Sequence, residues 1–253
     1  MKFFVEKDSI VREIWGKGDT ILFIFAGAAA EFALNKAVDW LYYTGKLPAD
    51  PLGRLFSTVS YARQIIFSNY DDALKAIDKI TAIHYAVEKS RGDKIPDWAY
   101  RDVLYMLIYY SIASYELLER KLTNAEKEET YNVFYRLGER MGLKDLPGNY
   151  NDWLLSREYH LQNDLACSKY SIDLLKQYRK HLGAFRYRIL VEGQILVVPE
   201  RVRELLNFRK ISFIPPLLGI YKLLRFVQLD RVLKTAILPK EYQKEIRGLD
   251  VVV

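Results

Sequence analysis

Three histidines, His84, His160 and His181, carry the most versatile side chains in this sequence. Around His84, the residues Leu74, Ile77, Ile80, His84 and Val87 recur at intervals of three or four. That spacing lines one face of a helix and turns the imidazole inward. An inward neutral imidazole needs a partner for each ring nitrogen, which can be a hydrogen bond, a water or a metal. Spacing alone favours a satisfied core histidine over a ligand. His160 and His181 stand among charged neighbours, Arg157-Glu158 and Arg179-Lys180, and are expected on the surface without a role. Glu31 and Asp39 interrupt an otherwise apolar run. Buried, either carboxylate would hold a proton more tightly and could serve as a base; the alternative is an ion pair at a bundle's end.

The familiar catalytic motifs are missing. There is no pair of Glu-x-x-His segments for a di-iron bundle, and no His-Glu-x-x-His zinc motif. Gly16 and Gly18 lack the further glycines and preceding strand of a phosphate-binding loop. No Gly-x-Ser-x-Gly elbow occurs. A single inward histidine is still compatible with haem, whose iron requires one axial protein ligand and an apolar slot.

Helix signals position these residues. Asp50-Pro51 reads as an N-cap with proline in the first turn, opening a helix to about Phe67. Asn69, followed by Asp71 and Asp72, opens the helix that carries His84 and stops at Gly92. A third helix follows Pro96 and runs through Glu119. Thr123-Asn124-Ala125-Glu126 is a capping box for a helix reaching Met141. Further helices are expected over 152–166, 171–182 and 200–208, and only Tyr187 to Val198 has β character. The stretch from Thr20 to Tyr43 is apolar nearly all round, which predicts one helix buried at the centre of a bundle. Gly27 to Ala30 give it a thin waist, suited to close helix packing or to a flat cofactor.

Length and composition set the frame. The 253 residues are 50% hydrophobic with 13 Gly and 8 Pro, enough for a sizeable core and too ordered in composition for a disordered chain. The lone Cys167 excludes an internal disulfide or a thiolate metal cluster and fits a reducing compartment. The first residues carry no signal-peptide pattern, and no apolar stretch approaches the roughly 20 residues of a spanning helix. A cytoplasmic protein is therefore expected. Of the net charge of +6, Glu200 to Val253 contribute +5, with 11 Lys/Arg against 6 Asp/Glu. That segment reads as a solvated basic surface or as a peripheral contact with an anionic membrane. Nucleic acid is not expected, since no compact basic cluster accompanies a recognition motif.

The segment Ala49-Asp50-Pro51-Leu52-Gly53-Arg54-Leu55-Phe56-Ser57-Thr58 resembles the D-P-L-G-R-L-x-x-T signature of the MpaB/rubber oxygenase (latex-clearing protein) family. Three other stretches follow at family-like spacing: Ile83 to Val87, Ser114-Tyr115-Glu116 with Arg136-Leu137-Gly138, and Val198 to Leu206. The resemblance spans about Ile14 to Phe208. The helix signals predict an all-α fold, one multi-helix bundle over residues 1–208 around a buried central apolar helix with a basic helical extension over 209–253 packed on it. The resemblance implies the same fold class. It also implies a haem-b oxygenase, using dioxygen on a hydrophobic isoprenoid or alkene-containing small molecule.

Position by position, His84 matches the family's axial iron ligand, and Arg54 and Thr58 match the arginine and threonine near the distal face. Ser57 stands where rubber-cleaving members have a lysine that can cap the iron. Leu34-Asn35 replaces a His-Pro pair, and Leu104-Tyr105 falls where a further family histidine lies. The resemblance thus makes Arg54, Ser57, Thr58 and His84 the cofactor-binding set, with His84 the metal ligand. Arg54, Thr58 and Glu31 are the catalytic candidates. The helix from Ile21 to Ala37 and the aromatic Tyr105, Tyr109 and Tyr110 are expected to wall the substrate pocket. Two other readings remain: a haem-free helical protein binding a lipid or isoprenoid, and a surface module using the basic C-terminal segment.

Overall fold

The computed structural model describes residues 2–43, 45 and 49–212. Six of its helices begin where a capping side chain satisfies an orphan N–H group of the first turn. The described helices are α1 (Ile10–Gly16), α2 (Gly18–Leu34), α3 (Asp39–Tyr43), α4 (Pro51–Phe67), α5 (Tyr70–Arg91), α6 (Asp97–Leu118), α7 (Asn124–Arg140), α8 (Tyr150–Asn163), α9 (Lys169–Val197) and α10 (Glu200–Leu205). Asp50 caps α4, accepting from Gly53 N with Pro51 in the first turn. Asn69 caps α5, and the Thr123/Glu126 capping box opens α7. Among the described residues there is no named strand, only the isolated bridges Phe3–Asn69 and Asn35–Leu165. The all-α expectation holds.

α2 runs through the middle of the bundle, packed chiefly against α6 and α9. Its waist is closed by helix packing. A Cβ at Gly27 would lie 2.1 Å from the Tyr110 ring and 2.9 Å from Val197, so the glycine exists to admit that tyrosine and no flat group lies there. Around this contact the core gathers Trp15, Tyr105, Tyr115, Tyr131, Phe134 and Trp153, all essentially buried. Trp15 Nε1 donates to Ser111 Oγ at 3.0 Å. A second apolar cluster joins Ala29, Ala33, Val38 and Leu52 to Leu174, Tyr178 and Leu182 of α9.

Two expectations need correction. The run from Thr20 to Tyr43 is two helices, because α2 stops at Asn35, which adopts an extended conformation. There the chain pairs with the α8–α9 connection: Ala166 N donates to Leu34 O and Lys36 N to Asp164 O. Tyr187 to Val198 is the last part of α9 and not a strand. Its β-branched and aromatic residues serve helix packing, with Val197 set against Gly27. α9 itself is interrupted at Gly183 (φ 73°, ψ 165°), so two helical segments meet at an angle. The opening of the expected C-terminal extension is tied to α9, since Arg209 and Ser212 both bond Glu192. The remainder of that extension, 213–253, lies outside the described residues.

Candidate active site

The Asp50 cap and Pro51 fix the start of α4, and with it the direction in which its second turn faces. Arg54 Nη1 donates to Ser57 Oγ at 3.2 Å, while Ser57 Oγ and Thr58 Oγ1 donate to the Arg54 carbonyl at 2.8 and 3.2 Å. The three side chains thus form one hydrogen-bonded group on α4. Burial makes the Arg54 guanidinium easier to deprotonate than usual, opposed by Tyr61. No carboxylate pairs with Arg54 among the described residues. A half-buried cation of this kind favours an anionic partner.

His84 sits on α5, which packs along α4. Its Nδ1 is buried and has no hydrogen-bond partner. The ring meets Tyr100 edge-on at 5.2 Å, and the Tyr100 hydroxyl donates to Glu88 Oε1 at 3.0 Å. Burial first and the positive charge of Arg54 second push His84 down to about 4, against the opposing pull of Glu88. The imidazole is therefore neutral near pH 7, with a lone pair or N–H unused. The inward stripe is shallower than its spacing predicts: Ile77 is buried, but Leu74, Ile80, His84 and Val87 are half-buried. α5 rides on the bundle's flank, so one side of His84 is not walled by the core.

Glu31 belongs to a different constellation at the centre of the bundle. Its carboxylate, with no solvent exposure, receives both arms of Arg157, Nη1 at 2.5 Å from Oε1. Tyr110 donates to the same carboxylate at 2.9 Å. Arg157 also reaches Asp102 Oδ1 at 3.4 Å, and the Asn35 amide donates to Asp102 Oδ2. Two buried carboxylates share one guanidinium, so burial, and then the charge of Glu31, raises the proton affinity of Asp102. The pairing of Glu31 is the ion pair weighed for it, set in the core and not at a bundle end. Asp39 behaves as the simpler case, pairing with Arg91 at 2.8 Å near the surface.

His160 was expected at the surface and is buried, 4% exposed. Its Nδ1 lies against Asp164 and its ring packs edge-on to Tyr105 at 5.2 Å. Of the charged neighbours that suggested exposure, Arg157 faces inward while Glu158 is exposed. Arg157, His160 and Asp164, with Trp153, recur at helical spacing, a signal that could have found them. His181 is exposed, as expected. The pocket expected between α2 and the tyrosines of α6 is also revised: Tyr105 and Tyr110 fill the core, and Tyr109 lines a cavity on its outer side. That cavity, of about 510 Å³, opens between α6, α8 and the end of α9. A second, of about 460 Å³, lies between the N-terminal segment and α7. Neither is lined by His84 or Arg54.

Among the described residues no group of three or more His, Cys, Asp or Glu could cage a bare metal ion. What α4 and α5 offer is a half-buried imidazole whose Nδ1 is unpartnered, near enough to Arg54 to feel its charge. That donor set fits a haem, which brings four of the iron's ligands itself.

Comparison with known families gives one match. The profile described as ER-bound oxygenase mpaB/B'/Rubber oxygenase, catalytic domain, matches residues 15–228. The chain belongs to this family, and its fold is that of an oxygenase-type domain. The matched stretch includes α2 to α10 and the whole Arg54–His84 group. No curated protein and no solved structure matches the chain. Among the described residues, no helix is long and apolar enough to cross a membrane.

Proposed function

We propose that the protein is a haem-b-dependent oxygenase acting with dioxygen on a hydrophobic, alkene-containing small molecule, with His84 as the axial iron ligand. The observation that carries this reading is the unpartnered buried Nδ1 of His84 on the helix next to Arg54 and Ser57, within a chain of the oxygenase family. A buried nitrogen without a partner costs about 1–3 kcal/mol, and a coordinate bond to iron would remove that cost. Haem, when bound, supplies the redox chemistry that no side chain of the set provides.

The chain's own residues do the rest. His84, kept neutral by burial and by Arg54, offers its lone pair without first losing a proton. Arg54 supplies positive charge that no carboxylate pairs with among the described residues, suited to a propionate or to a developing negative charge on oxygen. Ser57 and Thr58 hold Arg54 through its carbonyl and guanidinium, so the cation is positioned before any ligand arrives. Ser57, shorter than a lysine, would not ligate the iron of a bound haem and would leave it accessible to dioxygen or water. Glu31, saturated by Arg157 and Tyr110, acts here by positioning α2 against α6 and not by taking a proton from substrate.

Haemin titration of the purified protein tests the reading. One equivalent should bind with a Soret band, and His84→Ala should lose the band while keeping its helical circular dichroism. A colourless protein that takes up no haemin would refute it and favour the haem-free, apolar-ligand reading.

A further inference from the structure

The 510 Å³ cavity lies away from His84. Tyr100, which packs on His84, precedes Tyr109 on α6 by nine residues, about 14 Å of helix, and the cavity runs on from Tyr109 to Glu116. About half of its lining is apolar, from Ile112, Leu117, Leu154, Leu196 and Val198. Its charged lining is Glu116, Lys121 and Lys127. Both lysines reach the one carboxylate, Lys121 at 2.8 Å and Lys127 at 3.1 Å, and Leu122 N also donates to it. Two ammonium groups against one carboxylate leave one positive charge at the end of an oily groove.

A second observation points the same way. Trp153 lines the cavity, has no solvent exposure, and its indole N–H has no partner. Tyr150 stacks on Trp153 at 5.2 Å, and its hydroxyl feels both Glu116 and Tyr109. The one buried side-chain atom of this lining without a partner, the Trp153 indole N–H, is a donor, so its missing partner is an acceptor. An apolar body with one anionic end meets every feature, since the walls take the chain and the lysines and indole take the oxygens.

We infer that this cavity is a binding site for an amphipathic carboxylate, such as a medium-chain fatty acid, separate from the Arg54–His84 site. It requires no haem, so its test stands apart from the proposed oxygenase activity. The experiment is calorimetric titration of the full-length protein with decanoate and, in parallel, decan-1-ol. Decanoate should bind saturably at one site, and the neutral alcohol about ten-fold more weakly, the worth of a charge-assisted hydrogen bond. K121Q/K127Q should reduce decanoate affinity about ten-fold and leave decan-1-ol unchanged. Leu154→Arg, at a position 44% exposed and so tolerant of a long polar side chain, should abolish binding of both. Absence of saturable decanoate binding up to about 1 mM, equal affinity for acid and alcohol, or indifference to Leu154→Arg in a folded variant would each overturn the inference.

Discussion

Replacing Arg157 by methionine isolates the polar centre of the fold. Methionine approximates the stem of the arginine and removes its charge, leaving Glu31 and Asp102, both with no solvent exposure, without a cation. The Tyr110 hydroxyl and the Asn35 amide remain, each able to donate one hydrogen bond, far short of neutralising two carboxylates. Breaking a buried pair from one side costs about 3–5 kcal/mol, a large part of a domain's total stability. For a chain of this size the melting temperature should fall by roughly 6–20 °C. The loss carries a sign with pH. Burial and the charge of Glu31 already raise the folded proton affinity of Asp102 above its unfolded value, and removing Arg157 takes away the cation that opposes this, so acid restores stability and alkali removes it. Urea unfolding of R157M at several values between about pH 5 and 8 should therefore show a deficit that grows with pH. The double variant Glu31→Gln/Arg157→Met should recover much of the loss, because it buries one charge fewer. A deficit below about 1 kcal/mol, or one independent of pH, would refute the placing of this ion pair in a dry core.

Other consequences are quickly checked. Gly27→Ala should cost about 1–3 kcal/mol in urea unfolding, since its Cβ collides with Tyr110 and Val197; an unchanged midpoint would mean α2 and α6 do not meet there. Gly183→Ala should cost about 1–3 kcal/mol through backbone strain alone, because φ is 73° and no atom lies within 4 Å of the new Cβ. His84, at about 4 when folded against an ordinary 6.5, binds its proton more readily in the unfolded chain. The haem-free protein should therefore lose about 2–3 kcal/mol as pH falls from about 6.5 to 4, a loss that His84→Gln should lack. Parallel acid titrations of the two proteins would contradict this.

Local signals carried much of the fold. Asp50-Pro51, Asn69, Gly92 and Thr123–Glu126 each act within four residues, and each marks a helix end in the structure. The break at Asn35 is different in kind, because its amide answers Asp102, 67 residues away, and its backbone is fixed by the α8–α9 connection. Arg157 and Glu31 are 126 residues apart, so neither could be read as paired from its own neighbourhood. His160 was misjudged for the same reason: Arg157, one of its charged neighbours, has its partners deep in the bundle. In the candidate site, Arg54, Ser57 and Thr58 fall together because their spacing is helical, and the motif that carries them is contiguous. The approach of His84 to Arg54 depends on α4 packing along α5, which spacing on one helix does not report.

The most direct test is resonance Raman spectroscopy of the ferrous protein after haem loading, comparing wild type, His84→Gly, and His84→Gly with added imidazole. The account predicts an iron–histidine stretching mode in the first, its loss in the second and its return in the third. A mode that survives in His84→Gly would mean that another residue holds the iron, and the assignment of His84 would be wrong.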